Sequence, residues 1–335
     1  MRKLKEKYVS FLEEEKDGAI GKIVYFCLFL LSLIYGNVVT LRNFFYDNNI
    51  FPAHKCGIKV ISIGNLSWGG SGKTTLSCLL YQNLTPQFKT AVLRRGYGLD
   101  EKKLLEEKNI PVFSSKNRVK LANELSDKFS LLILDDGFQY RKLYRDINIV
   151  VMAARELRKK LRLIPAGFFR EPLASLKRAD ILVINHKNEL EDIDETTTEL
   201  KFRFKHLSIY TAEYKFSGIL DIKNKQVNPA AVRNKKLAAL TGIGYPGGFF
   251  NKLKEFDIKT CKEITYPDHY DLTIDDFNSL QGSLIEENIQ DVIITEKDRY
   301  HLPDINSKIN FYVLGIEMEI DNKQEFLDDL KNRLK

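Results

Sequence analysis

The chain has 335 residues, 44% hydrophobic and 29% charged, which gives room for two packed domains and excludes a disordered, low-complexity protein. Its net charge of +7 is spread along the sequence, with no arginine-rich tract interleaved with aromatics. That balance suits a membrane surface or phosphorylated ligands and argues against nucleic acid as a partner. Cys27, Cys56, Cys78 and Cys261 are scattered without a CxxC pair, which excludes a disulfide framework and a cysteine zinc site and fits the reduced thiols of an intracellular protein.

The first predicted element is apolar. Residues 19–41 carry one charge, Lys22, around the dense run Ile23-Val24-Tyr25-Phe26-Cys27-Leu28-Phe29-Leu30-Leu31. Spanning a bilayer takes about 20 apolar residues, so this segment sits at the lower margin. No small-x-small cleavage site follows it, and Arg42, Phe44, Phe45 and Tyr46 form a basic and aromatic border. An uncleaved signal anchor, an interfacial helix and a buried core helix all fit this pattern.

A β-branched run, Lys59-Val60-Ile61-Ser62-Ile63, then leads into Ser67-Trp68-Gly69-Gly70-Ser71-Gly72-Lys73-Thr74-Thr75 and an apolar helical stretch. Strand, glycine-rich loop and helix in this order make a nucleoside-triphosphate site. Glycines let backbone N–H groups turn toward phosphate oxygens, the helix N-terminus adds its positive dipole end, Lys73 adds charge, and the Thr74 hydroxyl is a Mg²⁺ ligand. Ser67 stands where the strict pattern has its first glycine. With a triphosphate site here, a crossing helix would send a basic N-terminus outward or the ATP site out of the cytoplasm. The favoured expectation is therefore a helix lodged in the inner leaflet.

Further strands are predicted at Thr90–Leu93, Leu131–Leu134, Ile147–Met152 and Ile181–Ile184, with helices near Thr74–Leu84, Arg118–Phe129 and Leu173–Arg178. This alternation predicts a parallel α/β core. Arg94-Arg95-Gly96-Tyr97-Gly98-Leu99-Asp100-Glu101 follows a strand, so its arginines are candidate phosphate clamps and Asp100 a candidate base; taken alone, Asp100-Glu101 reads first as a solvated helix start, and the base needs outside support. Leu131-Leu132-Ile133-Leu134 ends in Asp135-Asp136-Gly137-Phe138-Gln139, which places carboxylates at the strand edge beside the phosphate loop, where they can hold Mg²⁺. Pro165-Ala166-Gly167-Phe168-Phe169-Arg170-Glu171-Pro172 reads as a rigid loop for binding or for packing.

Leu200–Phe204 and Ile209–Phe216 are predicted as a β pair, and residues 217–235 as a linker. A second α/β unit is expected from Lys236, with a helix from Phe249, strands at Val292–Thr295 and Ile309–Val313, and a terminal helix from Gln324. It carries Tyr266-Pro267-Asp268-His269-Tyr270, in which His269 has the makings of a general base or orienting group, and Thr295-Glu296-Lys297-Asp298 at a strand end. The expected organisation is a membrane-associated segment (1–47), a phosphate-loop domain (48–216), the linker, and a smaller α/β domain (236–335).

Taken in order, these motifs resemble one family, the tetraacyldisaccharide 4′-kinases of lipid A synthesis. The resemblance runs from Ser32-Leu33-Ile34-Tyr35-Gly36 through Gly64-Asn65-Leu66, the phosphate loop, Arg95-Gly96-Tyr97-Gly98, Asp135–Gln139, Pro165-Ala166-Gly167 and Arg170-Glu171-Pro172. It continues through Gly242-Ile243-Gly244 with Phe249-Phe250 and Pro267-Asp268-His269 to Thr295-Glu296-Lys297-Asp298. It implies an ATP- and Mg²⁺-dependent kinase at the cytoplasmic face of a bacterial inner membrane, acting on the 4′-hydroxyl of tetraacyldisaccharide 1-phosphate. By the same resemblance Lys73 and the loop from Ser67 to Thr75 bind nucleotide, and Thr74 with Asp135 or Asp136 handles Mg²⁺. Asp100 is the catalytic base with His269 its partner, and Arg95, Gln139, Arg170 and Glu171 contact substrate. The chain departs from the family in having Leu99 before Asp100 where the family has glycine, in a shortened stretch between Tyr97 and Asp100, and in Thr75 where proline is common.

Two other classes share parts of this pattern. Partitioning ATPases of the deviant-Walker type need a lysine just before the paired glycines, and this chain has Trp68 there. Guanine recognition needs Asn-Lys-x-Asp, and both Asn185-His186-Lys187-Asn188 and Thr295-Glu296-Lys297-Asp298 place the lysine one position late. A non-enzymatic membrane scaffold has no use for a phosphate loop together with strand-end acids.

Overall fold

The computed structural model describes residues 8, 11–12, 18–68, 70–96, 98–158, 161–185, 193–268, 270–303 and 307–335. In chain order its strands are β1 (Lys59–Gly64), β2 (Thr90–Arg94), β3 (Val112–Ser114), β4 (Leu131–Asp135), β5 (Ile147–Ala153), β6 (Ile181–Asn185), β7 (Ser208–Asp221), β8 (Gln226–Val227), β9 (Leu237–Thr241), β10 (Thr260–Thr265), β11 (Asp291–Thr295) and β12 (Asn310–Ile320). Two compact units emerge: Met1–Tyr97 with Asn109–Glu213 and Glu319–Lys335, and Gly98–Lys108 with Tyr214–Met318.

The first unit is a parallel sheet in the order β7-β6-β5-β1-β4-β2-β3. The residues of β1, β4, β5 and β6 are nearly all buried, as their predominantly apolar sequences require of strands covered on both faces. β1 lies between β4 and β5, so the loops leaving β1 and β4 share the carboxyl edge where such sheets bind ligands. Gly64 permits that proximity: a Cβ there would lie 2.4 Å from the Cβ of Phe138 and 2.7 Å from its backbone nitrogen. The helix Lys73–Leu84 follows the phosphate loop.

Residues 200–204 differ from expectation. Leu200 to Arg203 belong to the helix Ile193–Arg203, and the amide of Phe204 still bonds the Leu200 carbonyl at 2.8 Å. The alternating Lys-Phe-Arg-Phe-Lys pattern suggested a strand, but Leu200 and Phe204 are four apart and enter the same buried cluster together with Leu207. Ile209–Phe216 falls in β7, whose beginning pairs parallel with β6.

The second unit holds the parallel strands β10-β9-β11-β12, with the end of β7 pairing antiparallel with β8. Residues 217–235, expected as a linker, form the end of β7, β8 and the short helix Pro229–Arg233, with Ile219 and Val232 fully buried. The helix Leu99–Glu107 also groups with this unit, which moves Asp100 out of the phosphate-loop domain to which the sequence assigned it.

Ala19–Asp47 is one 29-residue helix, long and apolar enough to cross a membrane, with only Ser32, Val39 and Asn43 buried. Its contacts with the first unit run along a narrow, partly polar stripe. The Tyr35 hydroxyl donates to the Arg170 carbonyl at 2.9 Å, and a Cβ on Gly36 would meet Leu163 at 2.8 Å. The stripe ends on Glu171. One of its carboxylate oxygens accepts from Arg178 (2.8 Å) and Arg42 (3.1 Å), the other from Asn43 (2.9 Å) and Ser175 (2.9 Å). Glu171 is fully buried, so the residue expected among the substrate contacts is instead the anchor of this helix.

Burial opposes charge on Glu171, but Arg178, Asn43 and Arg42 outweigh it and hold its carboxyl below the usual glutamate range. Its contribution to stability is then complete above its unfolded pKa near 4.5 and is lost as pH falls through the lower folded value. Glu171→Gln should destabilise the fold by about 3–5 kcal/mol at neutral pH, since it leaves the largely buried Arg178 without this counter-charge. Denaturant titrations from pH 7 to pH 3 should show the variant losing less stability on acidification than the parent. An unchanged midpoint at pH 7 would contradict the anchor role.

Candidate active site

The phosphate loop is held from beneath. The Trp68 amide donates to Phe168 O at 2.6 Å, the Arg170 amide donates to Leu66 O at 2.7 Å, and Ser67 bridges to Phe169. The Ser67 hydroxyl donates to the Glu156 carboxylate, whose other oxygen accepts the Ala153 amide at 3.0 Å. Asn185, at the end of β6, donates its side-chain amide to Ser71 O at 3.0 Å. Ser67, predicted to bind nucleotide, thus uses its side chain to fasten the loop. Gly69 lies outside the described residues. Gly72 has φ of +99°, a left-handed turn that glycine takes without a Cβ penalty, and the helix starts at Lys73. Gly70, Ser71, Gly72, Lys73, Thr74 and Thr75 therefore surround a helix N-terminus that favours an anion.

At the end of β4 two neighbouring carboxylates have opposite environments. Asp135 is 2% exposed, with Arg94 Nε 2.9 Å from one oxygen and the Ser77 hydroxyl 3.5 Å from the other. The backbone then turns through a positive φ of +50° at Asp136, whose side chain is 41% exposed. Lys73 Nζ lies 3.7 Å from Asp136, and Arg170 reaches both of its oxygens at 3.3 Å. Arg118 donates to the Asp136 carbonyl at 3.2 Å while stacking on Tyr140. Burial opposes ionisation of Asp136, but Lys73, Arg170 and Arg118 overcome it and hold its carboxyl below the usual aspartate range. Burial lowers Arg118 itself to about 10.

Among the described residues no group of three or more His, Cys, Asp or Glu gathers as a metal cage. Mg²⁺ does not need one, because it is commonly held by one or two carboxylates, waters and the substrate's phosphates. Thr74 on the helix and the open carboxylate of Asp136 fit that demand. Asp135 is engaged by Arg94. Gln139, expected to touch substrate, donates to Asn65 O at 2.8 Å and braces the exit from β1. Arg95 is exposed at the same edge, directly after Arg94.

The second unit carries the remaining predicted group. Asp100, in the first turn of Leu99–Glu107, is buried, and His301 Nε2 lies 3.7 Å from its carboxylate. His269 lies outside the described residues. Lys297 pairs with Glu101 at 2.6 Å. Asp298 accepts the Gly242 amide (2.7 Å) and the Thr295 hydroxyl (2.7 Å), so the Thr295–Asp298 motif ties the ends of β9 and β11. The roles of Glu156, Asn185, Arg118 and His301 escaped sequence reasoning. Glu156 and Arg118 lie outside the recognised motifs, Asn185 opens a stretch weighed only for guanine recognition, and His301 falls three residues after Asp298.

A family model described as tetraacyldisaccharide-1-P 4′-kinase (LpxK) matches residues 24–106 and 98–335. The two matches overlap at residues 98–106, on the helix bearing Asp100. The chain is similar to the tetraacyldisaccharide 4′-kinase of Halothermothrix orenii, 30% identical over 372 residues, 96% of each chain. It is also similar to that of Aquifex aeolicus, 32% identical over 288 residues, 78% of this chain and 87% of that one. A crystal structure of "apo" form LpxK from Aquifex aeolicus in complex with ATP aligns with TM-score 0.73 and 27% identity, covering 93% of this chain and all of that one.

The two carboxylates at the end of β4 should separate by mutation. Asp135→Asn removes the carboxylate charge that the buried Arg94 bonds and should cost about 3–5 kcal/mol of stability. Asp136→Asn should leave the melting temperature within a few degrees of the parent but remove Mg²⁺-dependent tightening of ATP binding. Calorimetric titration with and without Mg²⁺, beside thermal melts, reads both effects. The reverse pattern would exchange the two roles.

Proposed function

The chain belongs to the tetraacyldisaccharide 4′-kinase family and transfers the γ-phosphate of ATP to the 4′-hydroxyl of tetraacyldisaccharide 1-phosphate, and we propose the following roles for its residues. Lys73 and the backbone amides from Gly70 to Thr74 hold the β- and γ-phosphates. Thr74 and Asp136 hold Mg²⁺, which when bound neutralises charge on the phosphoryl oxygens. Asp135 keeps Arg94 in place, and through the turn at Asp136 fixes the direction of the open carboxylate. Arg170 shares Asp136 with Lys73 and supplies further positive charge toward the transferred group. Asp100 accepts the proton of the 4′-hydroxyl, with His269 as its partner, and Arg95 contacts the acceptor's phosphate.

One observation carries this reading: the carboxylate Asp136 stands between Lys73 and Arg170 beside the start of the phosphate-loop helix. Phosphoryl transfer depends mainly on such positioning and charge, and a base contributes a further ~10²–10⁴-fold. The lipid acceptor gives the helix Ala19–Asp47 its purpose. Its outward residues, Ile20, Ile23, Phe26, Ile34 and Val38 among them, are exposed apolar side chains. They enter the cytoplasmic leaflet of the inner membrane, while the polar stripe stays on the protein.

Asp100→Asn tests the base. Its turnover should fall at least ~100-fold while its affinity for Mg²⁺-ATP stays within a few-fold of the parent. Turnover within three-fold of the parent would remove Asp100 from the chemistry.

A further inference from the structure

We propose that His301, braced by Asp271, is a positioning residue that fixes the orientation of Asp100 and holds it as a carboxylate. The inference rests on the reading of Asp100 as the base and concerns only the second unit.

The imidazole is hydrogen-bonded at one end and faces the Asp100 carboxylate with the other. Its Nδ1 lies 2.6 Å from Asp271 Oδ1, the length of a charge-assisted hydrogen bond, and its Nε2 lies 3.7 Å from Asp100 Oδ2, within ion-pair range. The two carboxylates differ sharply in solvation, since the Asp100 side chain is 2% exposed and that of Asp271 is 82% exposed. A buried carboxylate loses most of its hydration and needs a fixed partner to remain charged. Asp271 is solvated and can act as the brace.

The backbone prepares this geometry. His301 closes a short 3₁₀ turn, Asp298–His301, whose first residue is locked to Gly242 and Thr295. The Leu272 amide donates to the His301 carbonyl at 2.9 Å, which places Asp271 alongside the ring. The neighbouring charges are largely matched to one another: Glu101 with Lys297, Glu107 with Arg299, and Glu296 with Lys108. Lys297 also acts on Asp100 through space. Asp100 raises the pKa of His301, burial opposes the rise, and Asp271 reinforces it, so the ring is an imidazolium over a wider pH range than a free histidine.

This arrangement predicts a pH signature. The ring is charged on the acid side of the profile, where Asp100 must lose its proton to act as a base. Removing that positive charge makes Asp100 harder to ionise, so the acid limb of kcat/KM moves to higher pH.

The experiment compares pH–rate profiles of the full-length wild type, His301→Gln, His301→Lys and Asp100→Asn, using Mg²⁺-ATP and disaccharide 1-phosphate in detergent micelles. His301→Gln should lower kcat and shift the acid limb upward by about one pH unit, with KM for ATP unchanged. His301→Lys should bring the limb back toward wild type. A second measurement, NMR titration of the His301 ring, should give a midpoint above 6.5 in the wild type and a lower one in Asp100→Asn. A wild-type profile in His301→Gln, a loss of rate with no shift of the limb, or a ring midpoint insensitive to Asp100→Asn would each overturn the positioning role. Full turnover in Asp100→Asn would instead overturn the base assignment beneath it.

Discussion

The first unit depends on one register. β1 and β4 pair in parallel with Ile63 opposite Asp135, so the strand that launches the phosphate loop and the strand that ends in two acids finish side by side. Parallel pairing of buried strands sends both loops to the same edge, and the missing side chain of Gly64 lets them approach. From that edge the two acids diverge: Asp135 turns inward to Arg94, while the positive φ at Asp136 turns its carboxylate toward Lys73 and Arg170. A buried ion pair is weak evidence for stability on its own, but here it sets the direction of the adjacent functional group.

A second constraint comes from the apolar helix. A helix in a soluble domain buries its apolar face, and the helix Ala19–Asp47 turns most of its apolar side chains outward and attaches through Tyr35, Asn43 and Glu171. The same Glu171 receives Arg178 from the 3₁₀ turn Leu173–Arg178 and follows directly on Arg170, which contacts Asp136. The apolar helix and the nucleotide edge are therefore joined within the first unit by two consecutive residues, Arg170 and Glu171.

Much of this was legible in the sequence because its signals are local. β1, β4, β5 and β6 appear as predominantly apolar runs, and the phosphate loop and strand-end acids are contiguous motifs. The failures are non-local or depend on periodicity. Lys201 to Lys205 alternates like a strand, yet Leu200 and Phe204 share one buried face of a helix. Ser67 meets Glu156 across 89 residues and Ser71 meets Asn185 across 114, separations at which no spacing rule operates. Residues 217–235 have a linker's composition, but Ile219 and Val232 bury enough apolar surface to fold into the second unit. Glu171 stands in a loop motif that suggests contact with substrate, and only its saturation by Arg178, Arg42, Asn43 and Ser175 reveals a structural role.

The central claim is that the nucleotide edge serves transfer to a lipid hydroxyl rather than hydrolysis. The most direct measurement follows ³²P from γ-labelled ATP in the presence of Mg²⁺ and purified tetraacyldisaccharide 1-phosphate in micelles. The account predicts a labelled bisphosphorylated disaccharide carrying the new phosphate at its 4′ position, with little free phosphate. Release of labelled phosphate to water with no labelled lipid would contradict it.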